Sequence, residues 1–152
     1  MIRQKMLAAM YEYSYFLVSQ QIDGISHTQS LVRPPQGGNS LNWILGHITT
    51  SRCNVLAMLD QPTVWDFSDC QPYIPDSDPV PEPDEIINFE VMVNDLRKTQ
   101  DILMVTIKDL TEEKMQEVKD DQSIGEQLAG YAIHEAYHAG ELGITKAAIS
   151  SK

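Results

Sequence analysis

Positive charge is scarce in this chain: 11 Lys and Arg stand against 22 Asp and Glu, a formal net charge of −11. A surface of that sign repels phosphate backbones, and the pair Arg97-Lys98 is isolated, so nucleic acid is not an expected partner. Long hydrophobic runs are also missing. The longest fall far short of a bilayer span, so no membrane partner is expected. The N-terminus, Met1-Ile-Arg-Gln-Lys-Met-Leu, has neither the apolar stretch nor the small-residue cleavage site of a signal peptide, which points to the cytoplasm. Cysteine is rare, with only Cys53 and Cys70. They form no CxxC pair, so no disulfide framework is expected, and Cys53 reads as a small core residue. No alternating strand pattern is long enough to build a sheet, and no repeat is present.

What is present is helical periodicity. In residues 2–22, Ile2, Met6, Ala9, Met10, Tyr13, Phe16 and Leu17 recur at spacings of three and four, the mark of an amphipathic helix that Asp23-Gly24 ends. Residues 25–39, with Arg33-Pro-Pro-Gln-Gly-Gly, read as loop, and His27 within it reads as solvated. Asn39 or Ser40 caps a second helix from Leu41 to about Asp60. A long connection follows over 61–83, with Pro62, Pro72, Pro75, Pro79, Pro81 and Pro83. Its aromatics Trp65, Phe67 and Tyr73 either cover a pocket or pin a surface crossover. The third helix is expected from Pro83-Asp84 to Leu110, with Ile86, Phe89, Val93, Leu96, Ile102 or Leu103, and Ile107 as its stripe. Thr111-Glu-Glu-Lys-Met opens a short turn or helix. Ser123-Ile-Gly-Glu126 is a capping box for the fourth helix, about 124–150. The length of 152 residues fits one domain, 1–152. The expected fold is all-α: a four-helix bundle with a long Pro-rich crossover between helices 2 and 3.

The chemistry concentrates in Tyr131-Ala-Ile-His134-Glu135-Ala-Tyr-His138-Ala-Gly140-Glu141. On a helix, His134 and His138 share one side of a turn and can bind one transition metal. Tyr131, Leu142 and Ile149 flank the pair on one side and Ile133, Tyr137 and Ile144 on the other. The rest of the helix is mostly Ala and Gly, so it reads as apolar all round and buried. Buried imidazoles need partners, and a metal supplies them.

His134-Glu135-x-x-His138 formally matches the HExxH of zinc proteases, in which the glutamate polarises a water. Only Ala139 to Lys152 follow, with Glu141 the one plausible further donor, too little chain for a protease cleft. The better third ligand is His47, which lies on the second helix among Trp43, Ile44, Ser51 and Asn54. Three neutral imidazoles leave open positions, the layout of a catalytic site, and suit zinc, nickel, iron or manganese. Asn54, Tyr131 and Glu141 are placed by spacing to line the site, and Glu135 sits either beside the metal or against a neighbouring helix. Catalytic candidates are Glu135, Glu141 and Tyr131.

Ser40-Leu-Asn-Trp43-Ile, then Leu45-Gly46-His47-Ile48, then His134-Glu-Ala-Tyr-His138-Ala-Gly140-Glu141 resemble the DinB-like (YfiT-like) four-helix-bundle superfamily over nearly the whole chain. The resemblance implies a long crossover between helices two and three, a divalent metal held by His47, His134 and His138, and a homodimer. Many members carry Gly-Gln where this chain has Gly140-Glu141, which adds a carboxylate near the metal. Characterised relatives include thiol transferases using low-molecular-weight thiols such as bacillithiol or mycothiol, and a related isomerase. Two functions follow. One is a metal-dependent enzyme that transfers a thiol to an electrophilic small molecule, or hydrolyses one. The other is a non-catalytic, dimeric helical binding or stress-related module with structural histidines.

Overall fold

A computed structural model describes residues 3–78, 84 and 86–150. It is mostly helical. The order is α1 (Gln4–Ile22), α2 (His27–Ser30), α3 (Leu41–Met58), α4 (Phe67–Cys70), α5 (Phe89–Asp109), α6 (Glu112–Gln116), the two-residue strands β1 (Val118–Lys119) and β2 (Gln122–Ser123), and α7 (Ile124–Ser150). A 3₁₀ turn, Gln71–Tyr73, follows α4. Pro79, Pro81 and Pro83 of the expected crossover, and Ile2 of the expected first stripe, lie outside the described residues.

The four long helices touch one another pairwise: α1 with α5 and α7, and α3 with the same two. Hydrogen bonds give their directions. Tyr11 and Ser14 reach Leu128 and Glu135, and Asp23 meets Lys146, so α1 and α7 run the same way. Asn42 bonds the Ile87 carbonyl and Arg52 bonds Thr99, so α3 and α5 also run together. Arg52 to Glu135 and Asn39 to Glu141 set α3 against α7 in the opposite sense. Parallel neighbours cannot be joined by a tight turn. The chain must travel back the full length of α3, about 27 Å at 1.5 Å per residue. That return, from Leu59 to Asn88, carries α4 and the 3₁₀ turn, and buries Trp65 and Tyr73 while Phe67 stays exposed.

Two helix faces differ from the sequence expectation. On α1 the buried residues are Leu7, Tyr11, Ser14, Val18 and Ile22, whereas Met6, Tyr13 and Phe16 face out. Both sides of α1 carry apolar residues, and the interior took the side that interleaves Ser14 with polar partners on α7. On α7, Ile133, Tyr137 and Ile144 are 64–70% exposed. The helix buried on every side is instead the first half of α3, whose residues 41–50 are all interior. α3 is covered by α5, α7, α4 and the 3₁₀ turn. The third long helix starts at Phe89, not near Asp84, because the Asn88 side chain accepts from the Glu90 and Val91 amides. His27 is no solvated bystander: its Nδ1 accepts the Phe89 amide, 3.2 Å away. The Ser123–Glu126 capping box forms as expected. The Lys119-to-Gln122 turn places Asp120 and Asp121 at φ +54° and +65°, the left-handed pair of a two-residue hairpin.

The interior has two apolar clusters. One holds Val18, Ile22, Leu41, Trp43, Phe89, Met92 and Leu142, the other Leu7, Tyr11, Leu56, Leu103, Ile107 and Leu128. Between them each long helix contributes a buried polar residue to one hydrogen-bonded layer: Ser14, Arg52, Thr99 and Glu135. All four are buried. Arg52 donates from Nε to Glu135 Oε2 at 2.6 Å and from Nη2 to Oε1 at 2.7 Å, and from Nη1 to the Thr99 hydroxyl at 3.1 Å. Ser14 donates to Glu135 Oε1 at 2.8 Å. A planar guanidinium matches a carboxylate at two points, which fixes how α3 and α7 register against each other.

Candidate metal centre

His47 stands in the middle of α3, and His134 and His138 stand one turn apart on α7. The Ser40 hydroxyl starts α3 by accepting the Trp43 amide, and the antiparallel register brings His47 opposite the α7 pair. One ring nitrogen from each of the three lies within 4.8 Å of the others. The Nε2 atoms of His47 and His138 are 3.2 and 3.1 Å from that of His134. His47 and His138 are buried and His134 is half-buried. Trp43 stacks on the His47 ring at 4.9 Å, and Tyr137 meets His138 edge-on at 5.0 Å.

The other ring nitrogens decide what those Nε2 atoms are. His47 Nδ1 lies 2.8 Å from the Tyr73 carbonyl, which only accepts, so Nδ1 carries the proton. His138 Nδ1 lies 2.7 Å from Glu141 Oε2, and Glu141 is steadied in turn by Asn39 at 3.2 Å. Glu141 is held below the usual carboxylate range, first by that His138 hydrogen bond, so it too acts as an acceptor. Both Nε2 atoms therefore present bare lone pairs to His134. His134 can answer with one Nε2 proton at most. Its Nδ1 is then a buried acceptor, and that atom has no partner among the described residues. The alternative tautomer sets three lone pairs against each other. Either state is costly in a dry site, and a shared cation relieves it. Ligands about 2.0–2.1 Å from a common ion stand about 3.0–3.4 Å apart for angles between square and tetrahedral, so the observed spacing fits.

Electrostatics agree. His134 is pushed down to about 4, first by burial and then by His138 and His47, so it is neutral at pH 7. His47 is also lowered, burial being the main cause. Neutral imidazole is the form that binds metal.

A family model described as the DinB superfamily matches residues 12–142. This chain belongs to the DinB superfamily. A crystal structure described as that of a conserved protein of locus from Enterococcus faecalis aligns with 100% of this chain and 99% of its own, at a TM-score of 0.76 and 14% identity. At that identity the likeness is one of fold. A comparison with curated proteins returns no match.

Within this DinB-superfamily chain the other residues singled out from sequence have different places. Glu141 joins the imidazole group as a partner of His138. Glu135 does not: both its oxygens are occupied by Arg52 and Ser14. Tyr131 packs against the second apolar cluster. Asn54 is exposed. Two contributors escaped the sequence reading. The Tyr73 carbonyl acts through backbone, which has no sequence signature, and Asn39 acts through a fold-dependent approach. Trp43 stands beside His47 as its helix spacing indicates.

Gly46 is the one glycine whose missing side chain the site requires. A Cβ there would be driven into the Tyr73 ring, 2.5 Å from its Cγ. Gly46→Ala is therefore expected to lower stability by about 1–3 kcal/mol, the usual range for overpacking. It should also weaken metal retention, because Tyr73 can yield only by moving the carbonyl that orients His47. Chemical unfolding and metal content of the variant check both; unchanged metal affinity would separate Tyr73 from the site.

Proposed function

We propose that this chain is a divalent-metal-dependent enzyme of the DinB superfamily, with His47, His134 and His138 as ligands. Its reaction is transfer of a low-molecular-weight thiol to an electrophilic small molecule, or hydrolysis of such a molecule. The carrying observation is the convergence of three Nε2 atoms, two of them with Nδ1 anchored to acceptors. Zinc, nickel, iron and manganese all suit imidazole. A divalent ion bound here supplies Lewis acidity, lowering the pKa of a thiol or water that reaches its open position. The chain's own groups do the rest. Tyr73 and Glu141 hold the ligand rings in one tautomer, Trp43 walls the His47 ring from one face, and Glu141 is the nearest carboxylate to take up a proton. Glu135 is committed to Arg52, which disfavours the HExxH protease reading.

The supporting architecture for this reading is a single domain, a four-helix bundle with its crossover between the second and third long helices, acting in the cytoplasm. Among the described residues no helix is long and apolar enough to cross a membrane. A second reading, a non-catalytic dimeric module, draws on the exposed apolar residues of two adjoining helices: Met6, Tyr13 and Phe16 on α1, and Ile133, Tyr137 and Ile144 on α7. A homodimer through this face is compatible with either reading.

Metal analysis of the purified full chain, then turnover with a thiol and a panel of electrophiles before and after chelation, separates the two. We expect bound divalent metal approaching one per chain and turnover that chelator removes and metal restores. No metal uptake, with a melting temperature indifferent to EDTA, would leave the non-catalytic module.

A further inference from the structure

A cavity of about 360 Å³ opens between α1 and α5, the two long helices that carry no imidazole of the triad. Its size falls in the range of small-ligand sites. The two helices run in opposite senses, so the end of α1 meets the start of α5; there the Phe89 amide bonds His27, just beyond α1. Each helix gives the cavity one stripe at helical spacing: Tyr15, Ser19 and Asp23 from α1, and Glu90, Asn94 and Arg97 from α5. Between the stripes lie the buried Ile22, Phe89 and Leu96, which make the floor apolar. The helix directions order the charges. Asp23 and Glu90 stand at the end where α1 stops and α5 begins. Arg97 stands two turns further along α5, about 10 Å from Glu90 at 1.5 Å per residue. None of these three side chains makes a hydrogen bond or ion pair among the described residues, although Lys98, next along α5, is paired with Asp95.

We propose that this cavity binds a small linear zwitterion, with its ammonium end at Asp23 and Glu90, its carboxylate end at Arg97, and its apolar middle on Ile22, Phe89 and Leu96. Charge complementarity selects that occupant. A simple anion would meet two carboxylates in a chain of net charge −11 and be repelled. A simple cation would leave Arg97 unmatched and a positive charge beside its own. A ligand with both charges satisfies all three groups, and the planar guanidinium can meet its carboxylate at two points. The two-turn separation favours an extended molecule over an α-amino acid, whose two charges sit on neighbouring atoms. The apolar floor then covers the methylenes between the ends. Tyr15 connects this cavity to the interior: its ring lies 5.5 Å from the Arg52 guanidinium carbon. A bound zwitterion therefore braces α1 against α5 over the buried polar layer. Neither an imidazole of the triad nor a group bonded to one lines the cavity, so the inference stands apart from the metal chemistry.

The test titrates the purified full chain with 6-aminohexanoate, and in parallel with hexanoate and hexylamine, which keep the carbon chain and lack one charge. Calorimetry gives the affinities, and backbone amide chemical shifts locate the site. Expected is saturable binding of 6-aminohexanoate, with shifts confined to the end of α1 and the start of α5. The melting temperature should rise with ligand, and the affinity should fall with added salt. Each single-charge probe should bind about tenfold more weakly or worse, the scale of one lost charge-assisted hydrogen bond. Arg97→Gln, and Asp23→Asn combined with Glu90→Gln, should each weaken 6-aminohexanoate by about the same factor and leave metal content unchanged. These side chains are exposed, so the variants are expected to fold; if one does not, the three probes on the wild-type chain decide. The proposal is overturned by absence of saturable binding, by shifts that map elsewhere, by hexanoate or hexylamine binding as tightly as the zwitterion, or by folded variants that bind it like wild type.

Discussion

Glu135→Ala is expected to destabilise the protein by about 3–5 kcal/mol, the cost of leaving a buried charge without its partner. Arg52 is 1% exposed and Glu135 3%, so neither can turn to water. With Glu135 gone, Arg52 keeps one described hydrogen bond, to Thr99. The rings of Tyr11 and Tyr15, 6.0 and 5.5 Å from its guanidinium carbon, offer only weak compensation. The paired replacement Arg52→Met with Glu135→Leu should behave differently. It removes both charges at similar volume, and such exchanges range from neutral to stabilising by about 1–4 kcal/mol. The remaining members of the layer keep partners in that variant, because Ser14 also donates to the Tyr11 carbonyl and Thr99 to the Leu96 carbonyl. Urea unfolding of both variants measures the contrast. A loss under about 1 kcal/mol in Glu135→Ala would mean the layer is wetter or looser than described. The double variant also asks what the glutamate is for. If Glu135 works only by registering α7 against α3, the folded double variant still binds metal. A general base beside the ion would instead leave a folded protein with metal and no turnover.

That glutamate shows where sequence reasoning reaches and where it stops. The spacing of His134 and His138 is a property of one helix, and the face of α3 that carries His47 is a property of another. Both are local, and the triad could be read from them. Ser40 and the Ser123–Glu126 box likewise announce helix starts through contacts within four residues. Arg52 is the opposite case. An arginine on a helix normally reads as solvent-facing, and nothing local tells that four helices close around it. Its role emerges only when Ser14, Thr99 and Glu135 arrive from three other segments. The same limit hid how the irregular return seats Cys70 against the first apolar cluster. It hid Tyr73, whose contribution is a carbonyl. The first helix failed for another reason. With apolar residues on both faces, periodicity alone had two solutions, and the exposed one carries Tyr13 and Phe16. The face so misread is the one that remains available to a second chain.

His47→Ala and His138→Ala are each expected to lose at least nine-tenths of the bound divalent metal after desalting, and added metal should not restore wild-type affinity. Two nitrogens in place of three leave an ion short of protein donors, and no described carboxylate is free to replace the missing ring: Glu141 already serves His138, and Glu135 serves Arg52. Glu141→Gln is the informative contrast. The amide oxygen can still accept from His138 Nδ1, so the ring stays in place, but the negative charge beside it is gone. A loss of about 10–100-fold in affinity, without loss of stoichiometry at saturating metal, is the scale of such outer partners. Acid should act through the same groups. The folded His134 takes its proton near 4, below the ordinary 6.5. In metal-free protein the unfolded chain therefore binds protons across that window that the folded chain refuses, and stability falls as pH is lowered through it. Glu141 adds to the loss at lower pH, because its depressed pKa stabilises the fold only while it is ionised. With metal bound, the competing proton must first displace an ion from three imidazoles, so the acid transition should move to lower pH. A holo and apo chain with one common acid midpoint, or wild-type metal content in both histidine variants, would show that these rings meet for packing and not for an ion.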